Sequence, residues 1–266
     1  TEELRKIITR IASETAAYLR DVACTEPELS RSVGGETVVA DIVAEDYIIG
    51  ALREELGPVR IVTEERGVLG SGDLTIVVDP LDGSKNYLNC ISWASVSIAA
   101  VPTGGTIAQG LAGVVAPIFY GDPISFARGR GCFRGNAPLT PLRPPEKFVY
   151  VYIDHPDAAR KVAALVASLG GGYKVRSLGS AALEIAYTGI GRGTAFVDLR
   201  SKLRNVDIAA ATGIVRECGG VVIDERGNEV NTPVDRVVSA GNIIAIPGRR
   251  IAREIARALR LDGEAD

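Results

Sequence analysis

The chain has 266 residues, 46% of them hydrophobic and 24% charged, with a formal net charge of −3. That suits one large domain or two closely packed ones and excludes a disordered or collagen-like chain. With no basic excess there is no broad positive field to displace counterions from a nucleic-acid backbone, so a dedicated nucleic-acid binder is excluded as well. Cys24, Cys90, Cys132 and Cys218 show no CxxC spacing and follow no secretory segment, so the expectation is reduced thiols in a cytoplasmic protein. The longest apolar runs are broken at Pro102 and Pro117, short of the roughly 18 residues of a membrane span, so no membrane partner is expected. Methionine is absent, Gln109 is the only glutamine and arginine outnumbers lysine. This fits a heat-adapted protein and equally an arginine-biased genome.

In chain order, Leu4, Ile7, Ile8, Ile11, Leu19 and Val22 recur at helical spacing and predict an amphipathic helix over 2–23. A polar stretch with paired glycines, 25–36, reads as a loop. A second helix is expected over 40–56, stopped by Gly57-Pro58. Short β-type runs follow at 59–63 and 74–78, each ending in acids. Between Trp93 and Arg128, apolar runs alternate with Gly and Pro turns and predict several antiparallel strands. The Pro-rich segment 138–145 marks a boundary, dividing the chain into halves 1–142 and 143–266. Beyond it strands (148–153, 173–177, 194–199, 220–224, 242–246) alternate with helices (156–169, 180–188, 206–218, 248–260), an α/β rhythm.

The segment most informative about chemistry is Ile76-Val-Val-Asp79-Pro-Leu-Asp82-Gly-Ser84. An apolar strand delivers two carboxylates three residues apart, and Pro80 stiffens the turn between them. Gly83 lets backbone N–H groups approach an anion, and Ser84 is placed to cap a short helix. Glu64 and Glu65 end another apolar run, Asp41 opens a helix, and Asp207 opens a helix of small apolar residues. Taken singly, Asp41 and Asp207 also fit as dipole-stabilising acids and Glu64-Glu65 as exposed turn charges. Together these acids are oxygen ligands for a hard divalent cation. Zinc suits them poorly, since the chain has one histidine and no cysteine ligand spacing. Magnesium suits them well.

At this point the residues resemble a known family. Asp79-Pro-Leu-Asp-Gly-Ser84 resembles the signature of the inositol monophosphatase family, and Asn205-Val-Asp207-Ile-Ala-Ala its second signature. Thr63-Glu64-Glu65 stands where the family has Gly-Glu-Glu, and Asp41 where it has the acid of T-x-x-D. Order and spacing agree over nearly the whole chain. Within the family, Arg176–Glu184, Ala195–Arg200 and Leu203–Asp207 are similar to the archaeal branch acting on both inositol phosphate and fructose 1,6-bisphosphate. Val206 replaces the usual tryptophan and Ser84 the commoner threonine, while Lys85 adds a positive charge whose role is open.

The resemblance implies an α+β fold, a layered αβαβα sandwich with an antiparallel-sheet half followed by an α/β half. It implies a phosphomonoesterase using two or three Mg²⁺ ions, with Mn²⁺ as a substitute. One ion would be held by Glu64, Asp79 and the Leu81 carbonyl, a second by Asp79, Asp82 and Asp207, and a weaker third by Asp41 with Glu64 or Glu65. Asp41, Glu64 and Ser84 would orient and deprotonate the attacking water, and the N–H groups of Gly83 and Ser84 would hold the phosphate. Gly179 and Ser180 would approach the sugar, with Asp82 and Asp207 close by. Arg200 would take a second phosphate, with Arg176 and Arg204 weaker candidates. The loop 25–36 is a candidate lid. The implied partners are a small sugar or inositol phosphate and, as assembly, a homodimer or homotetramer. A single-specificity inositol phosphatase, a nucleotide 3′-phosphatase and a non-catalytic binding relative are the alternatives. His155 reads as a loop residue, Trp93 as core, and Gly189–Gly193 follows a helix, the wrong context for a dinucleotide loop.

Overall fold

The computed structural model describes residues 1–25, 32–34, 37–248 and 255. The helical stripe of the N-terminal segment becomes α1 (Glu2–Val22), which buries Ile8, Ile11, Ala12 and Leu19. Ser32–Gly34 (β1), inside the segment 25–36 expected as a loop, and Thr37–Val38 (β2), just after it, form a small antiparallel ribbon. The rest of that candidate lid, 26–31 and 35–36, lies outside the described residues. Helix α2 (Val39–Leu56) buries Ala40, Ala44, Ile48 and Leu52.

Eight strands follow: β3 (Arg60–Thr63), β4 (Gly67–Leu69), β5 (Leu74–Asp82), β6 (Ser95–Pro102), β7 (Ala112–Pro117), β8 (Ile124–Ala127), β9 (Gly131–Arg134) and β10 (Ala137–Pro138). They make one sheet in the order β10-β9-β8-β7-β6-β5-β3-β4, in which only β3 and β5 run parallel. A five-residue helix, α3 (Ser84–Leu88), is inserted between β5 and β6.

The remaining chain gives β11 (Phe148–Val151), α4 (Pro156–Ser168), β12 (Lys174–Arg176), α5 (Ala181–Gly189), β13 (Ala195–Asp198), α6 (Asn205–Glu217), β14 (Val221–Ile223) and β15 (Ile243–Ile246). Their five strands form a second sheet, β12-β11-β13-β15-β14. It is mixed, because β15 pairs antiparallel with both neighbours. The helix expected over 248–260 lies outside the described residues apart from Gly248 and the buried Ile255.

Three apolar clusters bind these elements into layers. Helices α1 and α2 cover one face of the eight-stranded sheet. Helices α5 and α6 fill the space between its other face and the five-stranded sheet. Helix α4 and Ile255 cover the far side of the five-stranded sheet. This is the αβαβα order expected. Gly213 explains how closely α6 lies on the larger sheet, because a Cβ there would fall 2.1 Å from the Phe126 ring. Among the described residues no helix is long and apolar enough to cross a membrane.

One expectation is corrected. The cysteines are not free thiols: Cys24 is bonded to Cys90 and Cys132 to Cys218. The partners are 66 and 86 residues apart, so local spacing carried no trace of them, and the inference from reduced thiols to compartment falls with them. Intracellular proteins of hyperthermophiles are a known exception to the rule that cytosolic cysteines stay reduced. The Cys132–Cys218 bond ties β9 to the end of α6. A thiol titration of the unreduced, denatured protein is expected to find no free cysteine. Reduction is expected to lower the melting temperature by about 10 °C, the scale of a few kcal/mol for a cross-link closing a long loop.

Candidate active site

In a regular strand Asp79 and Asp82 would face opposite sides of the sheet, since side chains alternate. Strand β5 avoids this with a bulge: Asp79 pairs with Ser97 and Asp82 with Ser95, so three steps on β5 match two on β6. Pro80, with no N–H to place in the ladder, sits inside the irregularity. Both carboxylates thereby open on one cavity. Gly83 ends the strand at φ 91°, and a Cβ there would lie 3.0 Å from the Gly179 carbonyl and 3.1 Å from that of Trp93. Only glycine fits, so the cap position of α3 falls to Gly83, and Ser84, expected as the cap, is the first helical residue.

The cavity, of about 830 Å³, is lined among others by Glu64, Glu65, Asp79, Leu81, Asp82, Gly83, Ser84, Lys85, Gly179, Arg200, Arg204 and Asp207. Carboxylate oxygens of Glu64, Asp79 and Asp207 lie within 4.8 Å of one another. Glu64 is presented by the turn after β3, which is fixed from α2. The buried Glu45 carboxylate accepts hydrogen bonds from the Thr63 hydroxyl and from the N–H groups of Glu65 and Arg66, the latter two at 3.3 Å. Asp79 Oδ1 accepts the Leu81 N–H at 3.1 Å. Asp207, in the first turn of α6, accepts the Arg204 N–H at 2.7 Å, and Arg204 Nη2 lies 3.0 Å from Asp207 and 2.5 Å from Glu64.

Burial raises the proton affinity of these acids. It pushes Asp79 well above the usual carboxylate range, with Glu64 adding to the effect. It pushes Asp82 up to about 7, although the Ser180 hydroxyl works the other way. Asp207 is also raised by burial, against the pull of Arg204. Burial opposes the Arg204 charge, but Asp207 and Glu64 outweigh it and hold the guanidinium protonated. Crowded, dry carboxylates of this kind are a donor set for a hard cation.

Asp82 also joins the two sheets. Its Oδ2 accepts the Ser180 hydroxyl at 2.5 Å and the Ala182 N–H at 2.8 Å, fastening β5 to the start of α5. The loop before α5 is held from two sides: Asn86 donates to the Leu178 carbonyl at 2.6 Å, and the Leu178 N–H donates to Glu184 Oε1 at 3.0 Å. Glu184 is fully buried, and burial pushes it up to about 8. No role was read for Glu184, Glu45, Asn86, Tyr152 or Asp154 in the sequence. For Glu184 and Glu45 a signal existed, since each is an acid set in a helical run whose neighbours are buried.

Other expected residues lie elsewhere. Asp41 is buried at the first turn of α2, outside the carboxylate triplet and outside the cavity lining. Arg176 is exposed on β12 and stacks at 5.1 Å on Phe148, away from the cavity. Arg200 reaches the cavity wall but is engaged. Asp198 takes Nε at 2.9 Å and Nη2 at 2.7 Å, Asp154 takes Nη1 at 2.8 Å, and the guanidinium lies 4.0 Å above the Tyr152 ring. Trp93 is half-buried, edge-on to Tyr187 at 5.3 Å, and His155 is an exposed residue at the start of α4. A second cleft of about 840 Å³ runs along α1, where Arg5 pairs with Glu2, and Arg10 with Glu14 and Glu55.

The sequence profile of the inositol monophosphatase family matches residues 1–262. The chain belongs to the inositol monophosphatase family. It is 50% identical to the inositol-1-monophosphatase of Aeropyrum pernix over 95% of this chain and 96% of that one. It is 36% identical to the fructose-1,6-bisphosphatase/inositol-1-monophosphatase of Methanothermobacter thermautotrophicus, covering 79% and 80% of the two chains. Among solved structures, a Pyrococcus horikoshii protein described as similar to inositol-1 monophosphatase superposes with a TM-score of 0.79 at 30% identity, covering 96% and 98% of the chains. As a member of the inositol monophosphatase family the protein is a metal-dependent phosphatase. The cavity with its carboxylate triplet is the place in the fold that suits that chemistry.

Glu184 supplies a pH test. Its folded affinity for a proton exceeds the unfolded one, so the folded state holds more protons between the two values and stability falls as pH rises through that window. The melting temperature of the wild type is expected to drop by several degrees relative to Glu184→Gln between pH 4.5 and about 8. Parallel melting curves for the two proteins would remove the buried-acid assignment.

Proposed function

We propose that the protein is a Mg²⁺-dependent phosphomonoesterase whose first substrate is inositol 1-phosphate, with fructose 1,6-bisphosphate, cleaved at its 1-phosphate, as a second. The observation that carries this reading is the meeting of Glu64, Asp79 and Asp207 in one cavity with Asp82 and the Gly83–Ser84 turn. The half 1–142 would carry the phosphate contacts and the metal ligands other than Asp207, and the half 143–266 would add Asp207 and the sugar contacts. Glu64, Asp79, Asp82, Asp207 and the Leu81 carbonyl form an all-oxygen set that fits magnesium, with manganese as a substitute. When bound there, such ions supply charge neutralisation at the phosphoryl oxygens and acidify water.

The chain's own groups do the rest. The Gly83 and Ser84 N–H groups are placed at the cavity wall to bind the ester phosphate. The Ser84 hydroxyl orients the attacking water and the Glu64 carboxylate accepts its proton. Asp41, buried in the first turn of α2, would assist in this role. Gly179 presents the sugar face, with the buried Ser180 holding Asp82 behind it, and no side-chain nucleophile is required.

Inositol 1-phosphate comes first for two reasons. The 50%-identical relative is named for that activity alone, and the dual-activity names belong to relatives at 36% and 34% identity. Arg200, the residue suited to a second phosphate, already carries two carboxylates.

The test is phosphate release from inositol 1-phosphate, fructose 1,6-bisphosphate and adenosine 3′,5′-bisphosphate, with and without Mg²⁺. Asp79→Asn is expected to lower turnover by more than about 100-fold, beyond the cost of losing a group that only supports a ligand. It should leave the melting temperature in chelator unreduced, because Asp79 is a buried, crowded acid. A fully active variant overturns the assignment. Asp154→Ala, which removes the acceptor of Arg200 Nη1, is expected to raise kcat/KM for the bisphosphate relative to inositol 1-phosphate. An unchanged ratio removes Arg200 from substrate selection.

A further inference from the structure

The Arg204 side chain is bonded to two of the three clustered carboxylates. Nη2 lies between Glu64 Oε1 at 2.5 Å and Asp207 Oδ1 at 3.0 Å, and Nε lies 3.4 Å from Asp207 Oδ2. Both oxygens of Asp207 therefore face one guanidinium, and an oxygen of the third carboxylate, Asp79, lies within 4.8 Å of oxygens of Glu64 and Asp207. A lone pair committed to an N–H donor is withheld from a metal ion, so the guanidinium and a divalent cation draw on the same oxygens.

We propose that Arg204 is a built-in counter-cation that competes with divalent metal for Glu64 and Asp207, and that metal loading displaces it. The inference rests on the metal-dependent reading given above. Two features separate this from a simple structural ion pair. First, the start of α6 does not need the side chain: the Arg204 backbone N–H already donates to Asp207 at 2.7 Å, and that bond survives when the guanidinium leaves. Second, the side chain has somewhere to go, being 36% exposed at the wall of an open cavity. Its purpose follows from the charge. Carboxylates gathered out of water repel one another, and one fixed cation relieves that repulsion and joins the end of β3 to the start of α6 until a metal ion takes over both tasks.

The experiment titrates MnCl₂ and MgCl₂ calorimetrically into the whole chain and records melting curves in EDTA and in excess Mn²⁺. The proteins compared are the wild type, Arg204→Gln and Arg204→Lys. Arg204→Gln is expected to bind Mn²⁺ about tenfold more tightly, the scale on which groups around metal ligands tune affinity. It should melt below the wild type in EDTA and gain more on addition of Mn²⁺. Arg204→Lys keeps the charge but loses the fork that spans two carboxylates, and should fall between the two. It carries the comparison should the Gln variant fail to fold in EDTA. Unchanged or weaker Mn²⁺ binding in the variants overturns the competition while leaving the metal-dependent reading standing. A wild type that takes up neither ion overturns both.

Discussion

Like charges crowded out of water are the constraint around which this site is organised. Glu64 from the turn after β3, Asp79 and Asp82 from β5, and Asp207 from α6 all open on one cavity, and three of them approach within 4.8 Å. Four bare carboxylates in that space would drive the layers apart. The fold answers with donors aimed at the individual oxygens: Leu81 N–H to Asp79, Ala182 N–H and Ser180 hydroxyl to Asp82, and Arg204 to Glu64 and Asp207. Raised proton affinity at Asp79, Asp82 and Asp207 relieves what remains. A site so arranged is held ready for cations at a cost in stability, which a bound metal ion would repay.

The same contacts hold the molecule's layers in register. Helices α5 and α6 pack between the two sheets in one continuous core; the start of α5 meets Asp82 of β5, and that of α6 meets Glu64 in the turn after β3. Asp82 is at once a cavity group and the link between β5 and α5. The loop 178–180, tied down by Asn86 and Glu184, brings Gly179 and Ser180 against the Gly83 turn. Displacing either helix would therefore disturb the carboxylates and the 178–180 loop together.

Arginine placement shows how little a residue's type says about its availability. Arg176, Arg200 and Arg204 all sit in segments resembling those of the dual-activity enzymes. The first stacks on Phe148 outside the cavity, the second is neutralised by Asp198 and Asp154, and the third lies on the carboxylates themselves. A guanidinium already committed to a buried acid such as Asp198 leaves only at the expense of uncovering that charge. Which of these arginines is open to a ligand therefore depends on their neighbours as much as on the arginines.

The sequence by itself determined the periodic elements and the chemistry. Helical stripes at 2–23 and 40–56 and the α/β rhythm from 148 to 246 reappear within a residue or two, and the alternating runs from 93 to 128 reappear as antiparallel strands. The acids Glu64, Asp79, Asp82 and Asp207 were legible because each ends or opens an element, where side chains meet a cleft. Short strands such as β4, β9 and β10 escaped notice, being too brief for a period to show. Only the tertiary structure decided which acids meet, because that depends on the bulge that turns Asp82 to the side of Asp79 and on the docking of α6 over β5. It alone paired Cys24 with Cys90 and Cys132 with Cys218, kept Asp41 out of the triplet, and put Arg204 on Glu64. Local pattern fixes which side chains lie on a face. Contacts between residues scores of positions apart are set by how the faces pack, and no short stretch of sequence contains that information.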